Sequence, residues 1–323
     1  MLVLMAGDGC TPVNEWEAHR QIRAGKESLA RQDVNAALVS FQRAAELAPH
    51  LAVAHSELGS AYRRLGEYDR AIDCFVEAVQ CDPFSFDYSI NLAQLYHFTE
   101  RFKDAIRAYL HAVEVRPGDF YAQLNLGVCY QHLGDAAQAV ERFQRAIEIN
   151  PQRPQAFVNL GVALDAQEKF YEAIHAYKEA LERDSRQPMV LVNLAQTYMK
   201  QDRLKLARHT LQESIELDSS LAAAHEALGY CLFRSRDLGA AERSYHLALS
   251  CEDRLPRTHA GLGSIYMLRY LEESNRADWR DRALEHWHRS LELEPEQPRI
   301  RKLIAEYKPA VNTPDEALLS DRK

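Results

Sequence analysis

Four side-chain amides recur at one interval in this sequence. Asn91, Asn125, Asn159 and Asn193 lie thirty-four residues apart, and each immediately precedes a Leu. Inside a helix, Asn costs about 0.5–0.7 kcal/mol relative to Ala, so its repetition at one register asks for a use. An Asn side chain carries one acceptor and two donors. It can therefore serve both the C=O and the N–H of an extended chain without reading that chain's sequence. Such a row is a ladder for binding backbone; it is not a set of groups that moves protons or bonds.

The residues that could do covalent or metal chemistry do not assemble into a motif. His225-Glu226 lacks the second His of a zinc-peptidase helix, and His286 and His288, two apart on a helix, point to different sides. Phosphate-cradling Gly-rich loops and a Gly-x-Ser-x-Gly elbow are missing from the sequence. The cysteines at 10, 74, 81, 129, 231 and 251 form no Cys-x-x-Cys, which predicts buried thiols. His55, His225 and His259 recur at one register and read as structural. No cofactor, no metal and no enzyme are expected. The formal net charge of −8, without a long basic run, argues against a nucleic-acid partner and fits a cytoplasmic protein. Nowhere do eighteen apolar residues run together, so no membrane span is expected. The opening Met-Leu-Val-Leu-Met-Ala-Gly is too short, and lacks the basic flank, for an export signal.

The elements that must position the Asn residues follow from the same period. With repeats starting near 18, 52, 86, 120, 154, 188, 222 and 256, position 7 is Leu in seven of the eight, and position 8 is always Gly or Ala. Position 20 is Ala throughout, reached in the last repeat, at Ala283, after an insertion of eight residues near Arg269 to Arg276. Position 24 is bulky: Phe41, Phe75, Tyr109, Phe143, Tyr177, Leu211, Tyr245 and Trp287. Each repeat reads as two helices with bulky residues facing small ones, broken near position 15, where Gly66 and Gly134 suit a left-handed cap. No stretch alternates with the period of a strand, so the class is all-α.

This pattern of Leu-Gly, Tyr, Ala, Phe or Tyr, Ala and Pro closely resembles the tetratricopeptide repeat (TPR) family over about residues 18 to 297. The resemblance implies a right-handed α-solenoid superhelix of about eight TPR helix-turn-helix hairpins. The family's Trp at position 4 is replaced throughout, for example by His55, Phe157 and His225. Ser185, Ser219 and Asp253 replace the turn proline in repeats five to seven, which predicts looser turns there. Ile300, Leu303, Ile304 and Tyr307 lie at helical spacing and predict a C-terminal capping helix at 298–308, since a stacked array needs its last apolar face covered. The expected organisation is a disordered segment at 1–15, a solenoid at 16–308 and a disordered tail at 309–323.

On the first helix of a repeat, positions 2, 6, 9 and 13 form a stripe opposite the packing positions. In the family that stripe lines the concave groove. In repeats three to six it reads Asp87, Asn91, Gln94, Phe98; Tyr121, Asn125, Val128, His132; Gln155, Asn159, Val162, Ala166; Met189, Asn193, Gln196, Lys200. Only Asp87 and Lys200 are charged, whereas Arg23, Lys26, Glu57 and Arg64 crowd the stripe of repeats one and two. Depletion of charge with aromatic and Met enrichment marks the centre of a binding surface. The Asn series is similar to that of O-linked N-acetylglucosamine transferases, whose TPR array uses it on peptide backbone. The basic pairs of a carboxylate clamp are missing: Tyr121/Asn125, Gln155/Asn159 and Met189/Asn193 stand in their place. The expected function is a scaffold or adaptor that binds an extended peptide or a helix of a client protein. The alternative, from a different class, is a structural protein whose copies pack together as a homo-oligomer.

Overall fold

Tight turns set the architecture. In this computed structural model, which describes residues 12–272 and 276–308, position 15 of the first seven repeats stands in the left-handed region. The residues are Gln32, Gly66, Glu100, Gly134, Glu168, Asp202 and Arg236, with φ between 57° and 78°. Gly66 and Gly134 adopt this conformation freely; an L side chain there is disfavoured by about 1–2 kcal/mol. A chain that reverses so tightly must lay the flanking helices antiparallel.

Seventeen helices and no strand occur among the described residues. They fall into two compact units divided between Gln167 and Glu168. The first holds α1 (Pro12–Ala30), α2 (Val34–Leu47), α3 (Ala52–Leu65), α4 (Tyr68–Cys81), α5 (Phe86–Phe98), α6 (Phe102–Val115), α7 (Phe120–His132), α8 (Ala136–Ile149) and α9 (Pro154–Ala166). The second holds α10 (Phe170–Arg183), α11 (Pro188–Lys200), α12 (Leu204–Leu217), α13 (Ala222–Arg234), α14 (Leu238–Cys251), α15 (Pro256–Glu272), α16 (Ala277–Leu293) and α17 (Pro298–Tyr307). Within each unit consecutive helices pair as hairpins, and the second helix of one hairpin packs on the first of the next, an α-solenoid.

The core of each hairpin is a bulky ring set against small residues. Phe41, Phe75, Tyr109 and Phe143 are fully buried, as are Ala37, Ala71, Ala105 and Ala139 on the same helices. Position 8 has to be small: a Cβ on Gly127 would stand 2.6 Å from Cε1 of Phe143. Fully burying one such ring contributes about 1.5–3 kcal/mol. At position 4, two histidines tie their hairpins to the preceding turn. The Nε2 of His55 donates to the Pro49 carbonyl at 2.7 Å, and that of His225 to the Ser219 carbonyl at 3.0 Å.

Three expectations need correction. In repeats five and six the turns lacking proline are not loose: Asp184 accepts from the Arg186 amide and Asp218 from the Ser220 amide, at 3.0 and 2.9 Å. Asp82 and Asn150 make the same bond beside Pro83 and Pro151, so the side-chain acceptor fixes the turn with or without the ring. Helix α1 starts at Pro12, inside the segment expected to be disordered. Glu15 sits in its first turn, where a negative charge suits the helix dipole, and lies 2.8 Å from His50. The thiols are not uniformly buried: Cys129 and Cys231 are, Cys74 and Cys81 are half-buried, and Cys251 at the end of α14 is exposed. Cys10 and the expectations for 1–11 and 309–323 lie outside the described residues.

The insertion in repeat eight lengthens both helices. α15 and α16 have 17 residues each against 13 and 14 in α13 and α14. Residues 273–275 of the insertion are outside the described part. The added turns stack Tyr266 on Trp279 at 5.7 Å and bring Arg269 to Glu242 at 2.6 Å. α17 then packs on α16 through buried Ile300 and Ile304.

Candidate functional site

The first helices of neighbouring hairpins touch directly, α1 with α3 and α7 with α9 in the first unit, α11 with α13 and α13 with α15 in the second. They therefore share one side of each stack. The pair Lys26–Glu57 at 2.8 Å shows the register across that side: position 9 of one repeat meets position 6 of the next. Two of the four charges on the stripe of repeats one and two thus neutralise each other.

In the first unit Asn91, Asn125 and Asn159 are all half-buried. Gln94, Phe98, Tyr121, His132 and Gln155 are exposed around them, while Val128 and Val162 are half-buried. No hydrogen bond from another described residue engages the side-chain amides of Asn91 and Asn159. Asn125 lies beside the hydroxyl of Tyr109, which is fully buried and has no partner of normal hydrogen-bond geometry. Burial raises that hydroxyl's pKa, and the neighbouring Cys129 adds to the rise; the Asn125 amide works the other way. In the second unit Asn193 is half-buried and Met189 and Gln196 are exposed. Each unit therefore presents amides at position 6, framed by larger side chains.

Several groups on this side come from outside the stripe, and the sequence reading missed them. Tyr68 of α4 packs on Phe98 at 5.0 Å, and Phe102 of α6 stacks on His132 at 4.3 Å with planes 4° apart. Position 17 of one repeat thus supports position 13 of the next, which holds two exposed aromatic side chains in place. Arg153, in the turn before α9, donates to the Tyr121 hydroxyl at 2.8 Å and lies 5.4 Å from its ring centre. It brings a positive charge to a stripe that is charge-poor by its helices alone.

Histidines do gather, but elsewhere. His259 and His286 stand Nδ1 to Nδ1 at 3.0 Å, so one must be the neutral acceptor of the other's proton. Burial first, then the neighbouring His259, His246 and Arg282, push His286 down to about 4. Among the described residues no group of three or more His, Cys, Asp and Glu is placed to hold a metal ion. No described helix is long and apolar enough to cross a membrane.

Comparison with known proteins agrees with this geometry. The family model of the cilia and flagella-associated protein 70 C-terminal domain matches residues 84–260, more than half of the chain, and the tetratricopeptide repeat model matches 52–85. The chain belongs to the tetratricopeptide repeat family. Solved structures share the TPR fold at low identity. The C-terminal part of a TPR repeat-containing protein from Cytophaga hutchinsonii superposes with a TM-score of 0.61 at 16% identity, covering 75% of this chain and 99% of that one. PilF of Pseudomonas aeruginosa gives 0.56 at 20% identity, covering 68% of this chain and 97% of that one. The Cut9–Hcn1 hetero-tetramer of APC/C gives 0.59 at 14% identity over 89% of this chain and 55% of that one. No curated protein matches the sequence.

Proposed function

We propose that this TPR protein is a non-catalytic scaffold that binds an extended segment of a client protein along its first helices. Asn91, Asn125 and Asn159 contact the client's backbone, with Gln94, Gln155, Val128 and Val162 between them. Phe98 and His132 form an aromatic ledge for a client side chain, and Tyr121 with Arg153 closes the other edge. Asn193, Met189 and Gln196 offer the same kind of surface on the second unit. The observation that carries the reading is the amides at one register: half-buried, costly in a helix, and in Asn91 and Asn159 free of hydrogen bonds to any described residue.

The test is a client captured from native lysate and then titrated by calorimetry. Changing Asn125 and Asn159 together to Ala should leave the helical signal intact, because Ala is the better helix former. Each lost hydrogen bond is worth about 0.5–1.5 kcal/mol, so the affinity should fall about ten-fold or more. Changing Arg23 and Lys26 should matter far less. The reverse ranking would end the reading. Light scattering provides a second check, since mass that climbs with concentration in the absence of client would favour packing between copies instead.

A further inference from the structure

Repeat six breaks the pattern of the others on its second helix. Position 21 is aliphatic in the first five repeats, as Leu38, Ile72, Ile106, Val140 and Ile174, and again in the last, as Leu284. All six are buried or half-buried. Repeat seven has Glu242 there, neutralised by Arg269 at 2.6 Å. Repeat six has Arg208, which is exposed and has no carboxylate partner among the described residues. Position 19 departs in the opposite sense: it is Ala or polar in every other repeat, but here it is Leu206, 41% exposed. α12 thus carries a cation where its counterparts carry a core residue, and an exposed aliphatic where they do not. A local rule broken with no gain in packing marks a surface with another use.

At this place a cavity of about 810 Å³ opens, lined by Arg203, Leu204, Lys205, Leu206 and Arg208 and by Ser235 after α13. Asp202 at its rim is neutralised by Arg234 at 2.6 Å. Arg203 is held over Tyr198, 5.4 Å from the ring centre, and like Lys205 it has no carboxylate partner among the described residues. In a chain of net charge −8, three cations without counter-charge thus surround two leucines. We propose that this cavity docks a short acidic segment of a partner protein, with its carboxylates on Arg203, Lys205 and Arg208 and one aliphatic side chain on Leu204 and Leu206. The charge sets the partner's sign, and the guanidinium groups suit paired oxygens of a carboxylate. The leucines reward an aliphatic group, which a nucleic acid lacks, and no aromatic ring lines the cavity for bases to stack on. The site uses the second helix of its hairpin and does not depend on the Asn series.

An array of short random peptides, probed with the fluorescently labelled full chain, tests this. The peptides retained should be enriched in Asp and Glu beside a Leu, Ile or Val. Arg208→Ile restores the residue type of the other repeats, so it should raise the melting temperature and yet weaken those peptides about ten-fold or more. Arg203→Glu should weaken them as much with the helical signal unchanged, since Glu67 holds the same position in repeat two. Replacing the aliphatic residue of a retained peptide by Ser should weaken it several-fold. Asn193→Ala, on the first helix of the same hairpin, should leave the affinity unchanged, which separates this site from the client-binding stripe. Acidic peptides that are not retained, that bind both Arg variants as tightly as the parent, or that bind equally well without an aliphatic residue would overturn the proposal. So would an oligothymidylate that binds more tightly than any peptide, or a melting temperature lowered by Arg208→Ile, which would make Arg208 part of the packing.

Discussion

Replacing Gly127 by Ala sets two effects of opposite sign against each other on one helix. Ala favours α7 over Gly by about 1 kcal/mol. The added methyl, however, would stand 2.6, 2.8 and 3.0 Å from Cε1, Cδ1 and Cζ of Phe143, where carbon atoms prefer about 3.5–4.0 Å. Phe143 is fully buried and cannot swing aside. Overpacking of this kind costs about 1–3 kcal/mol, and three ring contacts at once put this site in the upper part of that range. The net loss should be about 1–2 kcal/mol. Because a repeat array opens piece by piece, the assay must be local: hydrogen exchange of the α7 and α8 amides, expected to accelerate about 5–30-fold. The sign should change in a Phe143→Leu background. There the ring no longer blocks the methyl, and Gly127→Ala should stabilise, or at worst leave unchanged, the weakened hairpin. Exchange that is slowed by Gly127→Ala in the parent protein, or slowed equally in both backgrounds, would refute the account of position 8 as a steric requirement.

Other expectations follow from single features. Glu100→Gly should raise thermal stability by about 0.5–1 kcal/mol, because its φ of 58° suits Gly better than Glu, and Gly134→Ala should lower it by about as much; calorimetric melting compares them. His286 is held at about 4 against an ordinary 6.5, so below 6.5 the unfolded chain takes up a proton that the folded chain refuses. Stability should therefore fall as pH drops from about 6.5 towards 4, and His286→Gln should flatten that slope in melting curves taken across the range. Ile300→Ser with Ile304→Ser should loosen α17 from α16 and expose the apolar face beneath it. Light scattering should then show association that the parent lacks, and a variant that stays monomeric would count against the capping role.

How much of this was legible beforehand differs between fold and site. Position 7, 8, 20 and 24 residues recur because each hairpin solves the same packing problem, so the repeat could be read off the chain one period at a time. The turns were misjudged because proline is only one way to fix them; Asp184 and Asp218 do so with a side-chain acceptor that looks like ordinary surface in sequence. Arg153, Tyr68 and Phe102 were missed as parts of the proposed binding side for a related reason. They reach it from turns and second helices, and only the stacking of one hairpin on the next decides which side chains about thirty residues apart meet. His259 likewise read as structural, but its partner His286 is set by the lengthened last hairpin. The Asn series was visible at once, because an interval of thirty-four residues shows in the sequence without any packing.

Among the described residues, every extensive contact joins helices that are adjacent or next-but-one in sequence. No distant strand has to be found and no large loop closed before packing begins to stabilise the chain. Contact order is accordingly low, and the entropic barrier that slows the folding of β-rich proteins is largely missing. Each hairpin can find its partner as soon as that partner has been synthesised, so order can spread along the chain from whichever pair forms first. The same locality bounds the reach of damage: a lesion such as Gly127→Ala loosens its own hairpin and the neighbours that lean on it, and the disturbance fades with distance along the array.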